Sequence, residues 1–169
     1  MNTIGVSLGN VCHSADWGVK NNIRKKRSEG YNTCPFDLMV SNYTGIIECI
    51  YDDFLYFCDT NYLQLTDNGI RHTKYNFEFN HESPGPVEIY LQENWPEGKN
   101  HFINNNYHYF IQRYNKRISA FRNYLNDPNN YIIFIIQFYY DTNPNNDFEE
   151  LRQALKCKYP NLKYEIRVI

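Results

Sequence analysis

Residues Tyr131 to Phe138 form an apolar run rich in β-branched and aromatic side chains, broken only by Gln137 and flanked by turn signals. A run of this kind suits a central strand buried on both faces. Asp127-Pro128-Asn129-Asn130 separates it from the segment before. After it, Asn146 can cap a helix with Glu149 three residues on, as in a capping box. Phe148, Leu151 and Leu155 form the apolar stripe of that helix, and Tyr164 to Ile169 reads as a closing strand. Strand, helix and strand in succession make a βαβ unit, which implies a parallel sheet.

The opening of the chain follows the same logic. Thr3-Ile4-Gly5-Val6-Ser7 reads as a short buried strand running into the turn signal Leu8-Gly9-Asn10. A helix follows from Cys12 or His13 to Lys26, with Ala15, Val19 and Ile23 on one face. Ser41 or Asn42 can cap a second helix carrying Ile47, Ile50, Phe54 and Phe57. Tyr75, Phe77 and Phe79 alternate with polar residues, the mark of a half-buried strand, and His81 stands at its end. Ser83-Pro84-Gly85-Pro86 breaks the chain, and residues 92–106 read as a polar loop. Ile111, Tyr114, Ile118, Phe121 and Leu125 recur at helical spacing and predict a long helix. The expected fold is therefore α/β: a single three-layer domain over residues 1–169, with a mostly parallel sheet, helices on both faces and room for antiparallel strands in the middle.

A chain of 169 residues can bury a sizeable core. Its 42% apolar and 21% charged content argues against disorder. A net charge of −2 argues against a protein that coats nucleic acid, so no nucleic-acid partner is expected. The 16 tyrosines and 11 phenylalanines lie mostly on core stripes, so packing explains them more simply than base stacking. Together with abundant Asn, Ile and Lys they are what AT-rich codons encode, which points to a virus or an AT-rich microbe. No secretory signal is visible. The longest apolar run is about half the roughly 20 residues of a membrane helix. A cytoplasmic protein (host cytoplasm if viral) without a membrane partner is expected.

Ligands of open α/β sheets bind beyond the carboxyl ends of the strands. That rule selects Ser7 to His13. Cys12 falls at the N-terminus of the first helix, where unpaired N–H groups and the helix dipole favour an anion and so the nucleophilic thiolate. The same groups can form an oxyanion hole. The bland alternative is a thiol packed inertly under the helix. The other cysteines, at 34, 49, 58 and 157, show no CxxC and no zinc spacing. Dinucleotide, Walker and HExxH motifs are missing, so neither a nucleotide cofactor nor a metal is indicated. The basic cluster Arg24-Lys25-Lys26-Arg27 could touch phosphate or serve as a nuclear signal, and the favoured reading is that it complements a helix C-terminus.

The run Val6-Ser7-Leu8-Gly9-Asn10-Val11-Cys12 resembles the S-L-G-x-x-C opening of the DUF1796 domain family, named for a papain-like cysteine peptidase activity. Ala15, Val19, Ile23 and Arg24 resemble that family's amphipathic helix with its Leu-Arg end. Cys34-Pro35-Phe36-Asp37-Leu38, followed by Ser41, resembles its P-F-D-W-x-x-S segment, with Leu38 where the family has Trp. Asn68-Gly69, Tyr75, Phe79 and His81 resemble its region with one His after a strand. The similarity covers residues 4–82. It implies a cysteine peptidase or other thiol hydrolase with Cys12 as nucleophile and His81 as base. Asp37 matches the family as the group that orients the imidazole, and Asp141, beyond the central strand, is the topological alternative. Asp37 can equally cap its own Pro-containing turn, and Ser41 reads as an N-cap. His13 points about 100° away from Cys12 on a helix, while His72, His101 and His108 fall in loop-like or exposed contexts. Substrates with peptide, isopeptide, ester or thioester bonds all fit. The other reading is a silent binding module that holds a small anion or glycan at the strand-1 loop.

Overall fold

The computed structural model describes residues 1–67, 69–82, 95–137 and 147–169. Three strands form a parallel sheet: β1 (Asn2–Ser7), β5 (Asn130–Ile136) and β6 (Tyr164–Val168), in the order β1-β5-β6. The register runs from Asn2 opposite Asn130 to Ser7 opposite Ile135, and from Ile132 opposite Tyr164 to Ile136 opposite Val168. The apolar run near residue 131 is thus the central strand, buried from Ile132 to Ile136. The middle strands are antiparallel and form a sheet of their own: β2 (Leu63–Thr66), β3 (Gly69–His72) and β4 (Phe77–Phe79).

The two-residue period of β1 and β5 decides what covers each face. Ile132, Phe134 and Ile136 join Val6 and Leu8 in the main core. On the other face lies α1 (His13–Lys20), whose Gly18 sits so close that a Cβ there would be 2.5 Å from Ile135 Cδ1. The long helix α3 (Asn104–Asn126) and α4 (Glu149–Lys158) bury Ile118, Phe121, Leu151, Ala154 and Leu155 on the core side. The layers are helix, sheet and helix, as expected from sequence. α3 carries left-handed φ values at Asn105, Asn106 and Tyr107, so its regular right-handed part starts at about His108.

The aromatic load packs the space between the two sheets. Phe36 meets Phe121 and Phe77 at 5.9 and 6.0 Å between ring centroids, and Phe79 meets Phe110 at 4.7 Å. Burying each such ring contributes about 2–3 kcal/mol.

Several sequence expectations change: Tyr75 lies in the turn before β4, and Phe148 is a left-handed N-cap (φ 56°) with Glu149 as the first residue of α4. α1 ends at Lys20 rather than Lys26: Asn22 turns left-handed (φ 56°), the Ile23 N–H returns to Gly18 O, and Ile23 O accepts the N–H of Gly5 in β1. Asn tolerates that conformation better than most residues. α2 (Tyr43–Tyr51) stops before Phe54, because Asp53 and Phe54 are left-handed at φ 50° and 61°. Phe54 and Phe57 still reach the core, from turns. The stretch read as a polar loop is pinned by buried Trp95, His101 and Phe102. Asn68, Ser83 to Pro86, Phe138, Asp141 and Asn146 lie outside the described residues. Among the described residues no helix is long and apolar enough to cross a membrane.

Candidate active site

The connection from β1 to α1 is held by three serines. Buried Ser7 accepts the Gly9 N–H at 3.0 Å and lies 2.8 Å from Ser14 Oγ. Ser14 donates to Gly9 O at 2.8 Å. Ser41 arrives from a distant part of the chain: its Oγ accepts the Asn10 N–H at 3.1 Å, and its own N–H donates to Asn10 O at 3.0 Å. Gly9 has φ +88°, and a Cβ there would lie 2.0 Å from Ser41 Oγ, so only glycine fits. The Ser41 hydroxyl is therefore a latch on this loop, not a helix cap. The cap of α2 is Asn42, whose Oδ1 accepts the Gly45 N–H at 2.7 Å.

This loop delivers Cys12 to the N-cap of α1, exposed to solvent, with Asp16 N–H bonded to its carbonyl. Its side chain makes no capping hydrogen bond, and the first-turn N–H groups of α1 have no partners within the helix. Cys34 and Cys49 differ: burial pushes their thiols well above the ordinary range, with nearby carboxylates adding to the effect. Burial raises Cys58 to about 12. Cys157 is exposed, on α4.

His81 is half-buried in the turn that ends β4, closed by the Glu82 N–H donating to Phe79 O at 3.2 Å. Next to it, Glu82 is fully buried and accepts from Arg113 (3.1 Å), Arg117 (2.9 Å) and the Tyr114 hydroxyl (3.1 Å). β4 is also tied to the Cys12 loop. Val40 and Glu78 exchange backbone hydrogen bonds, and Val40 is followed by Ser41, the latch on Asn10. The Cys12 loop and the strand that precedes His81 thus share one support. Among the described residues no hydrogen bond joins His81 to Cys12 or to Asp37.

Asp37 is fully buried in the 3-10 turn Pro35–Leu38. Its Oδ2 accepts from the Cys34 N–H (2.7 Å), Arg24 (3.0 Å) and the Tyr31 hydroxyl (3.1 Å). Burial opposes the Arg24 charge and is the largest single effect, but Asp37 and Tyr31 together outweigh it and raise the pKa of the guanidinium. Arg24 is therefore an internal ion-pair partner and does not complement a helix C-terminus. Nothing in the sequence around Arg24 marks this, since the pairing spans 13 residues.

Two histidines read as exposed or loop-like are buried. His72 sits at the end of β3, Nε2 donating to Tyr56 O at 2.9 Å and Nδ1 accepting the Tyr75 N–H at 3.2 Å. Burial lowers its pKa and keeps it neutral. His101 stacks on Tyr109 at 4.1 Å. His13 is exposed beside Cys12. Among the described residues no three His, Cys, Asp or Glu side chains are grouped to hold a metal ion.

The family model described as "Putative papain-like cysteine peptidase (DUF1796)" matches residues 4–169. The match extends through the second half of the chain, beyond the motifs. No curated protein and no solved structure matches.

Proposed function

The chain belongs to the DUF1796 family, whose model is described as "Putative papain-like cysteine peptidase", and on that premise we propose that it is a hydrolase working by acyl transfer through Cys12. The observation that carries this reading is the exposed Cys12 at the head of α1, on a loop fixed by Ser7, Ser14 and Ser41, while Cys34, Cys49 and Cys58 are held protonated by burial. In the reaction the Cys12 sulfur attacks the substrate carbonyl carbon as His81 takes the thiol proton. First-turn N–H groups of α1 stabilise the oxyanion. His81 returns the proton to the leaving amine, alcohol or thiol. Water, deprotonated by His81, then hydrolyses the thioester and frees Cys12. The third position belongs to Asp37, acting through the turn that borders the loop, or to Asp141. Peptide, isopeptide, ester and thioester substrates all suit this chemistry.

A second reading rests on one observation: Cys12 has no hydrogen bond to a histidine among the described residues. On that reading the chain is a binding module that holds a small anion or glycan at the β1–α1 loop.

Alkylation separates the two, because Cys157 supplies an exposed control thiol. With iodoacetamide at pH 7, Cys12 should label at least about tenfold faster than Cys157, and Cys34, Cys49 and Cys58 more slowly than either. His81→Ala should bring Cys12 down to the Cys157 rate. Equal labelling of Cys12 and Cys157 in the wild type would favour the binding module.

A further inference from the structure

A cleft of about 710 Å3 opens between the segment around residues 31–38 and one face of α3. The segment is tied to the helix by the Tyr31–Tyr124 stack at 5.5 Å and by the Asn32 N–H donating to the Tyr124 hydroxyl at 2.8 Å. The volume is that of a small-molecule site and far exceeds a single inorganic ion.

The charge of the walls is one-sided. Arg27, Arg113, Lys116 and Arg117 line the cleft, and among the described residues no carboxylate does. This excess stands out on a chain whose net charge is −2. The inner pair is partly neutralised from behind, since Arg113 and Arg117 share Glu82. That pairing fixes two guanidinium forks in place, a geometry suited to oxyanions. Arg113 also lies over the Phe102 ring, 4.5 Å from its centroid, which restricts it further. Arg27 and Lys116 are exposed at the mouth.

A second observation is independent of charge. His101, also in the lining, is 7% exposed, and its Nδ1 has no hydrogen-bond partner among the described residues. Buried polar atoms are rarely left so. Burial lowers the pKa of this ring, Glu97 opposes and Arg113 reinforces the effect, so the imidazole is neutral and offers both a donor and an acceptor.

We propose that this cleft binds a small polyanion, a molecule carrying two or more phosphate or carboxylate groups. The inference does not depend on the acyl-transfer reading, because the described lining contains neither Cys12 nor His81.

The test is calorimetric titration of the whole chain with inorganic pyrophosphate and with citrate at low ionic strength. One saturable site is expected for at least one of them, with affinity falling as sodium chloride is added. The preferred anion identifies phosphate or carboxylate as the recognised group. The double variant Arg27→Glu/Lys116→Glu should bind about tenfold more weakly or worse while melting like the wild type, since both side chains lie outside the Glu82 network. Cys12→Ser should bind as the wild type does. Failure of both anions to saturate, undiminished binding by the charge-reversed variant, or loss of binding in Cys12→Ser would each overturn the proposal.

Discussion

Asp37 shows how much one buried carboxylate can carry. It joins Arg24, Tyr31 and the Cys34 N–H, and it is fully enclosed. Removing one member of such a pair leaves an uncompensated charge, so Asp37→Asn should cost about 3 kcal/mol or more in urea unfolding. If Asp37 also supports the imidazole through its turn, the rate per folded molecule should fall on the order of 10–100-fold, less than in a Ser-His-Asp triad because a thiolate–imidazolium pair carries its own charge. Asp141→Asn is the control. A rate loss confined to the Asp141 variant would move the third position there. His72 gives a pH prediction. Its folded pKa lies below the ordinary 6.5 because of burial, so the unfolded chain takes up its proton first on acidification. The stability it contributes is complete above about pH 6.5 and is lost as pH falls towards the depressed folded value. His101 acts in the same direction. Urea midpoints should therefore drop as pH falls below about 6.5, with the folded His72 ring titrating below that value by NMR. A folded-state ring that titrates at 6.5 or above would contradict this account.

Among the elements, the β1–α1 connection is the most constrained. Gly9 and Asn10 are both left-handed (φ 88° and 64°), and each is bonded to a serine. Gly9→Ala would place a methyl group on Ser41 Oγ and force a strained φ at once. A cost of about 1–3 kcal/mol is expected. Because Ser41 would be displaced from Asn10, Cys12 alkylation should slow with it. A variant that melts lower yet alkylates at the wild-type rate would show that the latch supports the fold and not the thiol. α1 itself is short, and its buried face is Ser14, Ala15 and Gly18 rather than a stripe of large residues. Small residues let it lie close on the sheet, which brings its N-terminus to the end of β1.

At the scale of the molecule, one core joins the two sheets. Val6, Phe134 and Leu151 belong to the same buried cluster as Ile70, Phe77 and Phe79. Neither sheet can keep its inner face dry without the other. Phe134→Ala should therefore cost about 3–5 kcal/mol and loosen both sheets together. Far-UV and near-UV circular dichroism should report one coincident transition in wild type and variant. Separate transitions would mean that the antiparallel sheet folds independently.

The sequence by itself determined the elements whose signal is local. The β5 run, the α3 stripe and the turn before Cys12 are periodicities or turn chemistries complete within a few residues, and the structure places each as read; the alternation at Tyr75, Phe77 and Phe79 becomes a strand at Phe77–Phe79, with Tyr75 in the turn before it. The same local logic put Cys12 at a helix N-terminus beyond a strand. The tertiary structure decided whatever depends on contacts distant in sequence. It ended α1 early, because Ile23 O is taken by Gly5 in the neighbouring strand. It made Ser41 a latch across 31 residues, and it gave Asp37 to Arg24. It buried His72, which stands between Arg71 and Thr73, and His101, which follows Lys99 and Asn100. A hydrogen-bonding side chain can meet many partners, and only packing selects among them. An apolar stripe needs only to be covered, so its pattern survives in the sequence, whereas the pairing of buried polar groups does not.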